Sequence, residues 1–280
     1  MTASGISEQL VEDGEAVGRL SSRLRELGSV VVAFSGGVDS SLLLHVAVQA
    51  LGAKVCALTA DSESLTREER AEAAAVAESF GVRHVVVASQ EIDRPGYRAN
   101  AGDRCYHCKT ELFELATAFA LREGYAAVVD GTVLDDLDEH RPGLRAATEL
   151  GVLHPLVEAG FDKIRVRRVA RDRRIAVWDK PAAPCLGSRV AVGTTVTPAR
   201  LRAIAVVERH LRASGFRVYR VRVHAVAGGD LARIELGADE ISRALEPEVR
   251  ADLARVAREA GFGMVTLDLS GYRRGGGTSA

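Results

Sequence analysis

From residue 29 to about 175, short unbroken apolar runs alternate with stretches of helical length. In residues 29–34 (SVVVAF), nothing after Ser29 is polar, the mark of a strand covered on both faces. Strands are predicted over 29–34, 54–60, 82–88 and 125–130. Between and after them, helices are predicted over 38–51, 66–80, 109–123, 144–150 and 162–174. Thr66 and Glu69 form a Thr-x-x-Glu capping box at the start of one helix, and Asp162 is a ready N-cap for another. Strands separated by helices of this length make parallel βαβ units, and an open, doubly wound α/β sheet accommodates them.

The pattern changes after residue 190. Thr197-Pro198 opens a helix to about 213, with Thr as N-cap and Pro at the first helical position. Residues 216–224 and 231–236 alternate as facing strands across Gly228-Gly229, and a helix over 246–260 and a strand over 264–269 follow. The expected organisation is an α/β domain over 1–190, a smaller α+β domain over 191–272 and a mobile tail over 273–280.

Composition narrows the class. Of 280 residues, 47% are hydrophobic and 27% charged, the balance of an ordinary globular protein. The net charge is −1, so no global basic field invites nucleic acid, which is not expected as a partner. The N-terminal run MTASGISEQLVEDGE has no basic start followed by an apolar core. Neither does any apolar run approach the ~20 residues that span a bilayer. A cytoplasmic enzyme without membrane partners is the default expectation. In a reducing compartment, Cys105 and Cys108, spaced Cys-x-x-Cys, suggest metal, cluster or redox chemistry before a disulfide.

The first strand leads straight into Ser35-Gly36-Gly37-Val38-Asp39-Ser40-Ser41, which opens the next helix. Adjacent glycines let backbone N–H groups approach an anion, the helix N-terminus adds partial positive charge, and the Ser hydroxyls add donors. Asp39 repels a phosphate unless a divalent cation bridges the two, which points to Mg²⁺ with a nucleotide. The loop has neither the Lys of Gly-x-x-x-x-Gly-Lys-Ser/Thr nor the spacing of Gly-x-Gly-x-x-Gly. SGGVDSS resembles the PP-loop of ATP pyrophosphatases, which cleave ATP between its α and β phosphates and attach AMP to a substrate.

Asp103-Arg104-Cys105-Tyr106-His107-Cys108-Lys109 lies just before a predicted helix, where basic neighbours and the helix start favour thiolates. On spacing alone the pair fits a thioredoxin-like couple or half of a zinc site, with His107 or His140 as a further ligand. Cys185 falls in a Pro-bracketed loop, KPAAPCLGSR, while Cys56 sits inside a strand as a small hydrophobe. Asp130-Gly131-Thr132 with Leu134-Asp135-Asp136, RPGLRAA (141–147), Trp178-Asp179-Lys180-Pro181-Ala182, Cys185-Leu186, Ser188-Arg189, ARIE (232–235) and LDLSGYR (267–273) together resemble the LarE family. One departure is Ala191-Val192-Gly193, where that family has Pro-Tyr-Gly.

The resemblance implies a sulfurtransferase. It would use ATP to activate a carboxylate of pyridinium-3,5-biscarboxylic acid mononucleotide and replace its oxygen by sulfur, twice, on the way to the nickel-pincer cofactor of lactate racemase. It also implies two sulfur sources. Cys185 either attacks the adenylate and surrenders its own sulfur, or joins Cys105 and Cys108 in holding a 4Fe–4S cluster whose open iron carries sulfide. The three-cysteine pattern favours the cluster. Arg189, Arg220 and Arg222 are candidates for clamping the substrate phosphate; Glu208 and Asp239 lie where the family places acidic residues near a subunit contact. A homo-oligomer built through the C-terminal domain is implied, with enzymes upstream and downstream in cofactor assembly as partners. The rival is a PP-loop enzyme thiolating tRNA, for which residues 161–180, with eight basic and three acidic side chains, would serve as the RNA patch. A nucleotide sensor that binds ATP without releasing pyrophosphate is the non-enzymatic alternative.

Overall fold

A computed structural model describes residues 3–137, 142–181 and 184–273. The chain divides into two compact units. The first is 1–62, 67–91 and 105–183; the second is 63–66, 92–104 and 184–280. The expected cut at 190 is linear, whereas two short segments from the first half of the chain belong with the second unit. The tail beyond Arg273 and His140 lie outside the described residues.

In the first unit, α1 (Ala3–Leu27) precedes β1 (Val30–Ala33), α2 (Val38–Leu51), β2 (Val55–Asp61), α3 (Arg67–Ser79) and β3 (Arg83–Ala88). After α4 (Pro95–Ala99), which belongs to the second unit, come α5 (Arg104–Glu123), β4 (Ala127–Asp130), α6 (Pro142–Glu149), α7 (Pro155–Glu158) and α8 (Lys163–Asp172). The four strands are parallel in the order β3-β2-β1-β4. β1 therefore has β2 on one side and β4 on the other, a topological switch point, and the loops leaving β1 and β4 flank the crevice at the carboxyl ends.

Both faces of β1 are buried, as its unbroken Val-Val-Val-Ala requires. Val30 and Val32 pack with Leu20 and Leu24 of α1, Leu42 and Val46 of α2 and Val166 of α8. Val31 and Ala33 face the other way, onto Cys56, Leu58 and the Phe113 and Phe119 rings of α5. Cys56 is a fully buried core residue, and burial pushes its thiol pKa up.

The second unit holds α9 (Pro198–Ala213), β5 (Tyr219–Val226), β6 (Gly229–Leu236), α10 (Ile241–Ala244), α11 (Pro247–Glu259) and β7 (Met264–Leu267). β5 and β6 are antiparallel and β7 joins β6 in parallel. Val221, Val223, Ala232 and Ile234 form one buried apolar face, served by α9 and α11. Thr197 caps α9, its side chain accepting from the Arg200 N–H.

Two local expectations change. α5 begins at Arg104, five residues ahead of the predicted start, so Cys105 and Cys108 lie within its first turns rather than in a loop before it. The Cys-Tyr-His-Cys run breaks no helical rule, and the Arg104 guanidinium is fixed outside the helix by Asn100 Oδ1 and the Gly187 carbonyl. α1 was not anticipated. Its polar sequence conceals Ala16, Leu20 and Leu24, all fully buried, and Asp13.

Asp13 is 5% exposed and held by Arg168 (2.5 and 2.6 Å) and Arg165 (3.1 Å) of α8. Burial works against its charge, but the two guanidinium groups prevail and keep its pKa below the ordinary value. Because that pKa is depressed on folding, the pair's stabilisation is present at neutral pH and lost as pH falls below about 4. Asp13→Ala is expected to lower unfolding stability by about 3 kcal/mol at neutral pH. The difference from wild type should shrink in acid urea titrations; a difference independent of pH would refute the charge-pair account.

Candidate functional site

The turn from β1 into α2 is shaped by steric exclusion. Gly36 has φ +69°, and a Cβ there would stand 2.8 Å from Ala73 Cα. On the opposite flank, a Cβ at Gly131 would stand 2.7 Å from the Ser40 backbone nitrogen. Loop and helix start are thus packed backbone to backbone, leaving the first N–H groups of α2 at the crevice. Ser40 Oγ bridges the turn, lying 3.2 Å from both Ser35 Oγ and the Gly37 carbonyl, while Gly37 N–H donates to Ser35 Oγ (3.3 Å). Ser35 itself is exposed. Ser41 is fully buried, its Oγ without a hydrogen-bond partner. Lys180 Nζ reaches the Gly36 carbonyl (3.4 Å) and Glu72 (2.8 Å), so a lysine distant in sequence stands at a loop that has none of its own.

Asp39, on the first turn of α2, has its pKa pushed up to about 6. Burial is the largest cause and the neighbouring Asp136 charge the next, with Lys163 and Arg167 opposing. Asp136 is anchored, accepting from Val133 N–H (3.1 Å) and pairing with Lys163 Nζ (3.1 Å). A carboxylate whose pKa is raised by burial and by a neighbouring carboxylate, beside an anion-binding loop, suits a divalent cation, which would relieve the repulsion.

Asp130 ends β4. Burial disfavours its charge, but His154 Nδ1 (2.7 Å), Lys109 Nζ (3.6 Å) and the Thr132 N–H (3.1 Å) hold it well below the usual carboxylate range. Lys109 follows Cys108 directly on α5. Cys105 is exposed and Cys108 half-buried; three residues apart, they share one face of the helix. The sequence reading does not single out His154, and it names Lys180 only within the runs Trp178–Ala182 and KPAAPCLGSR, without a role, because only the fold brings them beside Asp130 and Gly36.

In the second unit, Cys185 is half-buried ahead of a 3₁₀ turn over Leu186–Arg189. Its carbonyl accepts from Ser188 N–H (2.9 Å), Ser188 Oγ (2.7 Å) and Arg189 Nη1 (3.1 Å). Gly187 is confined: a Cβ there would lie 2.8 Å from the Tyr97 hydroxyl. Arg189 is buried and grips Glu208 through two bonds (3.0 and 3.2 Å), so Glu208 is an internal partner here, while Asp239 is exposed and paired with Arg217 (2.8 Å). Arg220 and Arg222 come from β5. Arg220 donates to the Tyr272 hydroxyl (3.0 Å) and stacks on its ring; Arg222 pairs with Glu235 (2.5 Å) and reaches the Ser188 carbonyl (3.4 Å). Arg220 Nε and Arg222 Nη2 are buried without hydrogen-bond partners. The turn carrying Cys185 and these two guanidinium groups thus share one polar region of the second unit.

Among the described residues, no three His, Cys, Asp or Glu side chains stand together ready to hold a metal ion. Cys105 and Cys108 belong to one unit and Cys185 to the other. Several basic side chains of 161–180 have partners within the first unit, while Arg171 and Arg174 are exposed. Arg165 and Arg168 are bound to Asp13, Arg167 to the Trp178 and Lys180 carbonyls, Arg173 to Gln49 and Lys163 to Asp136. No helix among the described residues is long and apolar enough to cross a membrane.

Comparison with known proteins agrees with this geometry. The asparagine synthase family pattern matches residues 16–97, the segment that carries the β1–α2 loop. An uncharacterized protein of Synechocystis sp. is 40% identical over 250 residues, 89% of this chain and 92% of that one. The pyridinium-3,5-bisthiocarboxylic acid mononucleotide synthase of Lactiplantibacillus plantarum is 37% identical over 253 residues, 90% of each chain. A probable tRNA sulfurtransferase of Methanothermobacter thermautotrophicus is 31% identical over 168 residues, 56% of this chain but only 42% of its own.

Gly131→Ala tests the packing that opens the loop. The added methyl meets backbone that cannot rotate away, so the start of α2 must shift. ATP affinity is expected to fall at least about tenfold, with a stability loss of about 1–3 kcal/mol. Calorimetric ATP titration and a thermal melt check this; unchanged affinity would show that Gly131 does not set the loop.

Proposed function

Because the chain belongs to the LarE family of ATP-dependent sulfurtransferases, we propose that its substrate is pyridinium-3,5-biscarboxylic acid mononucleotide, whose carboxylates it adenylates and converts to thiocarboxylates. The observation that carries this reading is the pairing, within the second unit, of a cysteine turn with two buried, unsatisfied guanidinium donors. A sulfur centre and a phosphate clamp are what a mononucleotide thiolated on its ring requires.

The chemistry follows from the charges. A carboxylate is anionic and resonance-stabilised, so a sulfur nucleophile does not attack it. Its oxygen attacks the α phosphorus of ATP, pyrophosphate leaves, and the acyl adenylate now has AMP as a leaving group. Ser35, Gly36, Gly37, Ser40 and Ser41 would cradle the ATP phosphates with backbone and hydroxyl donors, and Lys180 would add a cation beside Gly36. Asp39 would hold Mg²⁺, whose charge would screen the pyrophosphate. Arg220 and Arg222 would hold the substrate phosphate. Arg189 acts differently from a clamp, since Glu208 and the Cys185 and Pro184 carbonyls already occupy it, and its part is to fix the backbone at Cys185.

For the sulfur we propose a 4Fe–4S cluster held by Cys105, Cys108 and Cys185. The donor chemistry fits: three thiolates leave one iron open to carry sulfide. Supporting it are the helical i,i+3 placement of the first pair and the thiol state of all three. The proposal also includes a homo-oligomer formed through the second unit, where β7 at the sheet edge leaves Met264 and nearby Leu269 exposed. It further includes a cytoplasmic location and a place between enzymes that make the biscarboxylate and enzymes that insert nickel. The tRNA reading is less favoured, because Arg165 and Arg168 of 161–180 are bound to Asp13 and the basic stretch is in part taken up by internal contacts.

Asp39→Ala is expected to abolish substrate-dependent pyrophosphate release while unfolding stays cooperative; undiminished release would remove Asp39 from the ATP site. The sulfur source is tested on anaerobically reconstituted protein assayed with ATP, Mg²⁺, substrate and sulfide, then weighed intact. With a cluster, Cys105→Ser, Cys108→Ser and Cys185→Ser each lose chromophore and activity together, and sulfide supports repeated turnover. Stoichiometric dehydroalanine at Cys185 with full activity in Cys105→Ser would overturn the cluster and leave the sulfurtransferase standing.

A further inference from the structure

The polar face of the small sheet carries more than the two arginines. Along β5, side chains alternate, so Arg220, Arg222 and His224 project from one face while Val221 and Val223 enter the apolar core on the other. Their cross-strand neighbours on β6 are Glu235 opposite Arg220, Arg233 opposite Arg222 and Leu231 opposite His224. On this face, among the described residues, Arg220 Nε, Arg222 Nη2, His224 Nε2, Arg233 Nε and Glu235 Oε2 are all buried without a hydrogen-bond partner. Buried polar atoms without partners are costly, and four of these five belong to basic side chains, so the face calls for an anionic occupant rather than for chance.

We propose that His224 is a third, protonatable donor at this anion site, so that the phosphate of the substrate is bound with uptake of a proton and more weakly as pH rises. This rests on the reading of Arg220 and Arg222 as phosphate donors, and adds to it a residue and a pH dependence.

The charged groups that bear on His224 are Arg222 on its own strand and Arg233 and Glu235 on β6; Asp268, beyond β7, acts through Arg233 (3.7 Å). The 3₁₀ segment brings backbone to β5, with Ala191 N–H donating to the Val223 carbonyl. Burial and then the Arg233 and Arg222 charges hold the His224 pKa below its ordinary value, with Glu235 opposing. The imidazole is therefore neutral at pH 7, with one ring nitrogen able to accept a proton. A dianion seated against Arg222 reverses the local sign and favours the imidazolium, which then donates from Nε2. A group whose pKa rises on binding contributes affinity that is complete below its free pKa and disappears as pH climbs through its bound pKa. Here the lower edge of that window lies below the ordinary histidine value of 6.5.

Inorganic sulfate isolates the effect, since this tetrahedral dianion does not itself titrate near neutrality. Sulfate binding to the full chain, measured calorimetrically, is expected to weaken roughly tenfold from about pH 6 to about pH 8. Titrations in two buffers of different ionisation enthalpy should register proton uptake at pH 7. In His224→Gln both signatures should vanish while affinity at the alkaline end stays within about twofold of wild type. Arg220→Gln, which loses only its Tyr272 contact, should weaken sulfate at every pH and keep the slope. A melting curve and ATP titration of each variant confirm folding. Sulfate bound with a flat profile in the wild type, or with an unchanged slope in His224→Gln, would overturn the role of His224 and leave the clamp intact. Binding indifferent to Arg220→Gln and to Arg222→Gln would instead bring down the clamp, and His224 with it.

Discussion

The first unit depends on one steric constraint: backbone must meet backbone at the N-terminus of α2. Gly36 lies against Ala73 of α3, and Gly131, one residue past β4, lies against Ser40. Any side chain at either point would push α2 away from the carboxyl ends of β1 and β4. Once both approaches are made, the sheet order places the helix start at the switch point, where its unsatisfied N–H groups have only the crevice to face. Asp39, Asp136 and Lys180 then acquire meaning from position alone. An acid that would be idle on a solvated helix becomes a raised-pKa group beside a second acid, and a lysine some 140 residues away supplies the cation the loop itself omits.

Much of this was legible because local rules and the fold agree. The strands of the first sheet fall within two residues of their predicted limits at every end, since each is written as a short apolar run bounded by turn residues. The Thr197-Pro198 start of α9 coincides with its prediction because cap and first-turn proline encode the same boundary. What stayed hidden is tertiary. Asp13 is an ordinary helix-surface acid until α8 brings two arginines to it. His154 follows a leucine in an unremarkable loop, yet Leu153 bridges to Val129 beside β4 and delivers the ring to Asp130. Segments 63–66 and 92–104 read as connections, but Ser64, Tyr97 and Arg104 close around Gly187 and so belong to the second unit.

The arginine-rich composition, which looks like bias in the sequence, resolves into two populations. Most guanidinium groups are occupied: Arg165 and Arg168 by Asp13, Arg189 by Glu208, Arg200 by Asp230. Such groups are structural, and breaking one leaves a buried charge without its partner. Arg220 and Arg222 differ because their contacts leave buried donors over. The distinction depends on unsatisfied atoms rather than on charge, and no count of residues reveals it.

Cys185 shows how rigidity and reactivity can be separated within one residue. Three donors converge on its carbonyl, and Leu186 N–H donates to the Ser64 carbonyl, so the peptide that follows Cys185 is held at both its oxygen and its nitrogen. Arg189 supplies one of those donors and is itself held by Glu208, whose Oε1 also accepts the Val221 N–H of β5. The position of the thiol is therefore referred, through one arginine and one glutamate, to the strand that presents Arg220 and Arg222. A reaction that must bring sulfur to a carboxyl carbon while a phosphate is held elsewhere on the same molecule gains most from a fixed distance between the two anchors. Burying the Arg189–Glu208 pair, at the cost of desolvating both charges, provides that fixed reference where a flexible surface loop could not.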